Sequence, residues 1–180
     1  MATKKELDLF IEKRNLYIDQ LDEKEITKEE FLNLNFLLLD QLSMTPFLTI
    51  STYEQGLYNY HYYNTLAKYY NTRRNQIHSR NKKDRSYKEL TNKCMNYYRE
   101  KDRALGEILR IKNYKGVIAY YVKVFSTRLQ RERLFEIYLE DEEKAIFHTF
   151  DKKILEGLKN HHCFLEEERI SLIDNYVNNK

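Results

Sequence analysis

Apolar residues recur three or four positions apart through the first 112 residues of the chain. Four such stripes are separated by polar segments, and they run from Leu7 to Leu21, from Phe31 to Leu42, from Tyr53 to Tyr70 and from Tyr87 to Ile108. This spacing places the apolar side chains on one face of a helix. The pattern therefore predicts a region of four helices.

A capping box of the form Ser/Thr-x-x-Glu precedes each stripe. In such a box the hydroxyl and the carboxylate each accept a hydrogen bond from a backbone N–H group at the start of a helix. These boxes predict where each helix begins. They are Thr3 with Glu6, Thr27 with Glu30, Ser51 with Glu54, and Ser86 with Glu89.

The pattern changes after residue 112. Residues 118–125 are rich in aromatic and β-branched side chains, residues 134–139 alternate in part, and residues 145–150 have the pattern of a return strand. Together these segments predict a three-stranded antiparallel meander. A helix is the alternative for the first segment, because several apolar residues between 118 and 129 also fit one helical face.

Two short helices are predicted at the end of the chain, one beginning at Asp151 and the other near Leu165. The fold class is then α+β and predominantly α, with an all-α fold as the alternative. We expect a helical region of residues 1–112 and a smaller α+β region of residues 113–180, packed together as one unit.

The composition narrows the class of protein. The chain is 42% hydrophobic and 33% charged, which is too apolar for a disordered chain and too charged for a membrane protein. No apolar run approaches the roughly 20 residues of a membrane span, and the charged first residues do not resemble a signal peptide. Two cysteines give no disulfide framework. We therefore expect a cytoplasmic protein, and the many Tyr, Asn and Lys residues, whose codons are AT-rich, indicate a bacterial or phage genome.

Charge is distributed unevenly along a nearly neutral chain. Residues 1–67 carry a formal charge of −5 and residues 116–180 carry −2. Residues 68–115 carry +10, from 15 basic and 5 acidic residues. This segment contains the end of the third predicted helix, a loop and the fourth predicted helix. The sequence therefore predicts a long basic helical hairpin over residues 68–115.

Clustered positive charge is what phosphate binding requires, because each neutralised phosphate releases counterions. Boundary tyrosines could also stack on unpaired bases. The alternative is a protein-interaction or self-assembly module that presents tyrosine-rich faces or the open edge of the meander to a partner or a second copy. A third interpretation is that the basic residues only keep the exposed surface of the hairpin hydrated. The residues expected to bind nucleic acid are Arg73, Arg74, Arg80, Lys82, Lys83, Arg85, Lys88 and Lys93, with Tyr69 and Tyr87 as stacking residues.

No residue pattern in the chain has the spacing of a known catalytic, nucleotide-binding or metal-binding motif. His161, His162 and Cys163 form the one cluster of metal-ligand residue types, and three adjacent residues rarely aim at one metal ion. Other histidines, such as His61, stand alone, which is typical of structural histidines. We therefore expect a non-enzymatic binding or regulatory protein without a cofactor or metal.

Three parts of the chain carry a resemblance to known proteins. They are Gly56-Leu57-Tyr58-Asn59-Tyr60 with Leu66-Ala67-Lys68-Tyr69-Tyr70, Leu134-Phe135-Glu136-Ile137, and Ser171-Leu172-Ile173-Asp174-Asn175-Tyr176. On these segments the chain resembles an uncharacterised bacterial family of small, mostly helical proteins, and the resemblance covers most of the chain. Because that family has no known activity, the resemblance implies a helical fold and no site residues.

Overall fold

A computed structural model of the chain describes most of the first 112 residues and shorter parts of the remainder. The chain divides into two compact units, Met1–Ala104 and Leu105–Lys180. The described residues are 4–77, 85–112, 117–126, 131–139, 147–149, 151, 153 and 154.

Four helices occupy most of the described residues. They are α1 (Lys4–Asp22), α2 (Lys28–Gln41), α3 (Tyr53–Gln76) and α4 (Arg85–Ile111). The prediction of a predominantly helical chain with four helices is therefore confirmed. The boundary between the two units falls within α4, after Ala104. The domain division predicted after residue 112, and the packing of the two regions as one unit, stay predictions.

The core of the first unit combines α1, α2, α3 and the loop between α2 and α3. Buried positions recur three or four residues apart, as in Leu7 and Phe10 of α1 and in Leu32, Asn35 and Leu39 of α2. Fully burying one large apolar side chain stabilises the fold by about 1.5–3 kcal/mol. The buried core residues are Leu7, Phe10, Leu38, Leu39, Met44, Tyr58 and Leu66.

Side chains of α3 hold the loop that precedes it. The buried Asn59 amide donates to the Phe47 carbonyl at 2.8 Å and accepts from the Phe47 backbone N–H at 2.8 Å. The Tyr58 hydroxyl accepts from the backbone N–H of Thr45 at 3.1 Å. Buried backbone groups need hydrogen-bond partners. These bonds therefore let an irregular loop pack against α3.

Helices α3 and α4 pack antiparallel. The Cys94 thiol donates to the Ala67 carbonyl oxygen at 3.6 Å. Two turns further along α4, the Lys101 ammonium lies 5.8 Å from the ring centroid of Tyr60. Increasing residue numbers in α4 thus meet decreasing numbers in α3. The end of α3 and the start of α4 consequently lie at the same end of this helix pair.

In the described part of the second unit, three strands follow α4: β1 (Val117–Ser126), β2 (Arg131–Leu139) and β3 (Phe147–Thr149). Strand β2 pairs antiparallel with both of the others, and the register of β1 shifts between Tyr121 and Lys123. In β3, Phe147 and Thr149 are buried and His148 is half-buried. This alternation is expected of a strand with one buried face.

The two predicted C-terminal helices lie mostly outside the described residues. The Asp151 carboxylate accepts from the backbone N–H of Lys153 at 2.9 Å, which is the contact expected of an N-cap. Residues 153 and 154 are helical. The helix predicted from Leu165 falls entirely outside the described part of the chain.

The start of α2 is the one that the sequence predicts. The Glu30 backbone N–H donates to Thr27 Oγ1 at 3.2 Å, and the Thr27 backbone N–H donates to the Glu30 carboxylate at 2.7 Å. The capping box at Thr27 is therefore confirmed. The prediction at Ser86 is wrong, because α4 already includes Arg85 and Ser86 lies inside it. Thr3 is outside the described residues.

Helix α3 begins one residue later than predicted. Thr52 Oγ1 accepts from the Gln55 backbone N–H at 3.2 Å, and the Thr52 N–H donates to the Gln55 side chain at 3.3 Å. The Gln55 side chain also accepts from the Ser51 N–H at 2.8 Å. A glutamine oxygen closes a capping box as a glutamate oxygen does. The box predicted at Ser51 and Glu54 is therefore wrong, because the capping box forms one residue later, between Thr52 and Gln55.

The two neighbouring hydroxyls of this loop give a matched test of the α3 cap. Replacing Thr52 by Ala removes the capping oxygen and should lower the free energy of unfolding by about 1 kcal/mol. For a chain of this size the melting temperature should fall by roughly 2–4 °C. Replacing Ser51 by Ala should leave it nearly unchanged, because only the Ser51 backbone takes part. Thermal unfolding followed by circular dichroism measures both, and a larger loss in Ser51→Ala would contradict the assignment.

Candidate functional site

The residues predicted to bind nucleic acid fall where α3 ends and α4 begins. Antiparallel packing of the two helices brings these segments together. We call their described members the hairpin end. Arg80, Lys82 and Lys83, which belong to the same prediction, lie outside the described residues. The hairpin end consists of Tyr69, Arg73 and Arg74 of α3 and Arg85, Tyr87, Lys88 and Lys93 of α4.

Arg73 is exposed and is held by the tyrosine one turn before it. Its Nε and Nη2 atoms donate to the Tyr69 hydroxyl at 3.1 and 2.8 Å, and its guanidinium carbon lies 5.2 Å from the Tyr69 ring centroid. Phe36 of α2 stacks on the same ring, with 3.9 Å between centroids and 9° between planes. The Tyr69 ring therefore packs inside the protein and positions Arg73, and Phe36 covers one of its faces.

Lys88, Lys93 and Arg85 lie on the exposed side of α4. The Lys93 ammonium lies 5.3 Å from the Tyr70 ring centroid. Arg85 pairs with Glu89 at 2.9 Å, but the two side chains are 92% and 59% exposed, so the pair contributes little to stability. Across the described ranges, no salt bridge joins Lys88 or Lys93 to a carboxylate. These lysines are available to an external anion.

Arg74 and Tyr87 are half-buried. Arg74 Nη2 donates to the side-chain oxygens of Asn71 at 2.6 Å and Asn75 at 3.4 Å. Burial raises the pKa of the Cys94 thiol, and the nearby Arg74 guanidinium opposes that rise. Arg74 is thus oriented towards α4. It has less access to a ligand in solvent than Arg73 has.

Most cations in the second half of α4 have carboxylate partners, whereas Arg99 donates to the Asn96 side chain at 3.4 Å. Arg103 pairs with Glu100 at 3.6 Å and Arg110 pairs with Glu107 at 2.7 Å. Each pair is spaced i, i+3, which places the two side chains on neighbouring turns of the helix. Among the cations of α4, those with no carboxylate partner in the described residues are Lys88 and Lys93 at the hairpin end and Arg99 further along the helix.

A second group of basic residues lies on α1, α3 and α4 of the first unit. We call Arg14 of α1, His61 and Lys68 of α3, and Lys101 of α4 the inner cluster. Arg14 and His61 are half-buried, and Lys101 is only 3% exposed. Lys101 pairs with the adjacent Asp102 at 3.2 Å. Lys101 is the buried cation of this group, whereas Lys68 is exposed.

Aromatic rings surround two members of the inner cluster. The Lys101 ammonium lies 5.8 Å from the Tyr60 ring centroid and 5.5 Å from that of Tyr98. The His61 ring lies 6.0 Å from Phe10 of α1 and meets the Tyr60 ring edge-on at 5.7 Å. A cation near aromatic faces is attracted by the ring quadrupole, although the gain is only about 0.5–2 kcal/mol.

Burial and mutual repulsion both act on the inner cluster. Burial, with smaller contributions from Arg14 and Lys68, lowers the pKa of His61 to about 3. Lys68 is exposed. Desolvation, followed by the charges of Arg14, Lys101 and Lys28, lowers the pKa of Lys68 to about 8. Positive charge is thus disfavoured here.

A groove of about 400 Å³ lies between the start of α2 and the end of α3. Thr72 lines the groove one turn after Lys68 and on the same side of α3. Lys28 lines it from α2 and is close enough to Lys68 to affect its pKa. The groove walls are Lys28, Glu29, Leu32, Thr72, Asn75 and Gln76.

The sequence analysis missed the inner cluster, although one signal for it was present. Arg14 stands in the first apolar stripe, between Phe10 and Tyr17, where the helical period predicts a buried side chain. A charge at such a position indicates either a buried ion pair or a site. The partners of Arg14 lie on other helices, so spacing along the chain could not identify them.

Metal and membrane chemistry gain no support from the described part of the chain. Within it, no group of three or more His, Cys, Asp or Glu side chains could hold a metal ion. Among the described helices, none combines the length and hydropathy needed to cross a bilayer. The predicted cluster His161-His162-Cys163 lies outside the described residues.

A family model, described as a family of unknown function (DUF6648), matches residues 1–180. The chain belongs to this family. The predicted resemblance to an uncharacterised family is therefore confirmed, and the bacterial origin stays a prediction. No curated protein and no solved structure matches the chain. Membership of DUF6648 assigns no activity, so a function has to be argued from the hairpin end and the inner cluster.

We expect His61 to remain neutral near physiological pH. The unfolded chain binds a proton at His61 near pH 6.5, whereas the folded chain does so only near pH 3. The unfolded state thus holds more protons in this window, and His61 makes the fold less stable as the pH falls from about 6.5 towards 3. Urea unfolding of His61→Gln should show a weaker loss of stability over that range than the wild type.

Nuclear magnetic resonance gives a direct readout of the same prediction. The His61 ring signals, assigned by their absence in His61→Gln, should not shift between about pH 5 and 8. A ring that titrates near its ordinary pKa of 6.5 would show that His61 is neither buried nor close to Arg14 and Lys68.

Proposed function

We propose that this protein binds nucleic acid through phosphate contacts at the hairpin end. The observation that carries the proposal is that Arg73, Lys88 and Lys93 are exposed and form no salt bridge with a carboxylate in the described segments. A cation with an internal partner gains little from a phosphate. An unpaired exposed cation instead displaces counterions from the nucleic acid, and this release drives binding.

The geometry of Arg73 adds to the support for phosphate contact. Two hydrogen bonds to the Tyr69 hydroxyl restrict the guanidinium before any ligand arrives. Less conformational entropy is then lost when the side chain binds an anion. The guanidinium has five N–H donors and uses two nitrogens for Tyr69, so donors remain for a phosphate oxygen.

Base stacking has less support than phosphate contact. Phe36 covers one face of Tyr69, and the Tyr70 ring packs 5.5 Å from the Tyr97 ring. Contacts to phosphate fix the position of a protein on nucleic acid but carry no base sequence. The proposed activity is therefore binding that is sensitive to salt and nearly independent of sequence.

The alternative of a protein-interaction or self-assembly module has weaker support. The tyrosines that would form its surface pack on one another, as Tyr97 does with Tyr63 and Tyr70. Leu48 is 97% exposed, but isolated apolar residues are common on protein surfaces. A cytoplasmic, non-enzymatic role is compatible with either proposal.

Fluorescence anisotropy with a labelled duplex and a labelled single strand tests the nucleic-acid proposal. For the duplex, log affinity should fall by about 0.9 per unit of log salt for each phosphate contact. The double variant Lys88→Glu, Lys93→Glu removes two contacts. The slope of log affinity against log salt should be smaller by about 1.8 for this variant. Its affinity at low salt should fall to roughly a tenth of the wild-type affinity or below.

Arg103→Glu, Arg110→Glu is the matched control, because it changes the net charge by the same amount on the same helix. Arg103 already pairs with Glu100, and Arg110 already pairs with Glu107. This variant should keep most of the affinity and the salt slope. An equal loss in both variants would assign the binding to overall charge rather than to the hairpin end. A wild-type protein that binds neither probe at low salt would refute the proposal.

A further inference from the structure

Two neighbouring tyrosine rings of α3 each lie beneath a cation of the hairpin end. The Arg73 guanidinium carbon lies over the Tyr69 ring, 5.2 Å from its centroid, and the Lys93 ammonium lies over the Tyr70 ring, 5.3 Å from its centroid. The two rings meet edge to face, with 5.3 Å between their centroids. Joined end to end, these three distances hold the two charges no more than about 16 Å apart, although the cations belong to different helices.

Both rings are also packed against aromatic residues of the neighbouring helices. Phe36 of α2 stacks on Tyr69 with 3.9 Å between centroids and 9° between planes. Tyr97 of α4 stacks on Tyr70 with 5.5 Å between centroids and 20° between planes. Each ring therefore has one aromatic neighbour and one cation against it. A nucleic-acid base could stack on either ring only by displacing one of these neighbours.

The packing of the rings restricts the cations that lie on them. Arg73 is held by its two hydrogen bonds to the Tyr69 hydroxyl, at 3.1 and 2.8 Å. Lys93 is attracted by the electron-rich face of the Tyr70 ring. Side chains that are restricted before binding lose less conformational entropy when a ligand arrives. Two cations held in this way suit phosphates whose own positions are fixed.

We propose that the ligand of the hairpin end is a double-helical nucleic acid rather than a single strand, and that Tyr69 and Tyr70 position Arg73 and Lys93 for its phosphates. This inference rests on the function proposed above, because it names the class of nucleic acid and the residues that orient the contacts. Tyr69 and Tyr70 are positioning residues in this arrangement, and neither ring touches a base.

A double helix provides dense, fixed negative charge and needs no aromatic partner. It carries one negative charge per roughly 1.7 Å of its axis, which is twice the density of one strand. Its bases already stack on one another, whereas proteins that bind single strands supply exposed aromatic rings on which successive bases stack. Two cations up to about 16 Å apart can reach phosphates on both sides of a major groove about 12 Å wide, or two phosphates of one strand.

Tyr87 is the remaining tyrosine of the hairpin end, and it is half-buried. Within the described residues, no aromatic ring and no cation lies against the Tyr87 ring. Tyr87 is therefore the residue whose possible contact with an unpaired base the experiments have to exclude.

Competition binding distinguishes the two ligand classes with the wild-type protein alone. A labelled DNA duplex, bound at low salt and followed by fluorescence anisotropy, is displaced by unlabelled DNA duplex, RNA duplex or single strand of the same length and sequence. Displacement by the single strand should need roughly tenfold more competitor than displacement by the better of the two duplexes. A preference for either duplex supports the proposal and identifies the double helix. Displacement by the single strand at an equal or lower concentration would overturn it.

Tyr69→Phe tests the positioning role, because it keeps the ring against Phe36 and removes the hydroxyl that holds Arg73. Its affinity for the duplex should fall roughly two- to tenfold. The slope of log affinity against log salt should not change, since Arg73 can still reach a phosphate. In an Arg73→Gln background, Tyr69→Phe should have no further effect, because the hydroxyl acts only through Arg73. An unchanged affinity in Tyr69→Phe, or the same loss with and without Arg73, would contradict the positioning role.

Tyr63→Phe is the matched control, since Tyr63 lies on the same helix and packs in the same group of rings, 6.4 Å from Tyr97. Its affinity for the duplex should equal that of the wild type. Tyr87→Leu should also keep the preference for the duplex. A loss of single-strand binding alone in Tyr87→Leu would show that this tyrosine stacks on bases, and it would count against the proposal.

The outcomes separate this inference from the function proposed above. A wild-type protein that binds neither duplex nor single strand at low salt would end both. A protein that binds the two with equal affinity, and in which Tyr69→Phe has no effect, would end only the inference of a double-helical ligand. Thermal unfolding followed by circular dichroism should give each variant a melting temperature near that of the wild type, so that a loss of affinity is not a loss of fold.

Discussion

Helix α3 contacts each of the other three helices, and the positions of both groups of cations follow from this arrangement. It contributes Tyr58 and Leu66 to the core shared with α1 and α2, and it meets α4 at Ala67. A helix packed on several sides cannot rely on one apolar stripe. Tyrosine suits its boundary positions, because the ring is apolar and the hydroxyl can reach a polar partner. The packing of these rings against Phe36 and Tyr97 is a physical reason for the tyrosine pairs of α3.

The helices could be predicted from the sequence because their apolar periodicity records the packing itself. Their exact starts could not, as Thr52 shows. Ser51 and Thr52 offer the same chemistry one residue apart, and Gln55 replaces the glutamate that defines the expected box. The difference between the two caps is about one hydrogen bond, on the order of 1 kcal/mol. The apolar pattern over a whole helix therefore predicts that the helix forms. The residue at which it begins depends on a small difference in capping energy between two neighbouring residues, which the pattern does not give.

The candidate sites were predictable to different degrees for a related reason. Local charge density identifies the hairpin end, since its cations lie on two segments that are adjacent in a helical hairpin. Local charge density could not distinguish Lys93 from Arg103. Lys93 has no carboxylate partner in the described residues, whereas Arg103 pairs with Glu100. The inner cluster combines residues as distant as Arg14 and Lys101. These residues lie on different helices, so the interruption at Arg14 was the one sign of this group along the sequence.

The two groups of cations also differ in what they imply about a ligand. Exposed lysines at the hairpin end are solvated and screened by salt, so they cost the fold little and would persist without any ligand. The inner cluster is different, because desolvation and repulsion both oppose its charges. Replacing Arg14 alone by an apolar residue would relieve part of that strain. Strained electrostatics of this kind concentrate at functional sites, where a ligand offsets the cost. The hairpin end is therefore the group that charge along the sequence identifies, whereas the burial of Lys101 beside the rings of Tyr60 and Tyr98 follows only from how the helices pack.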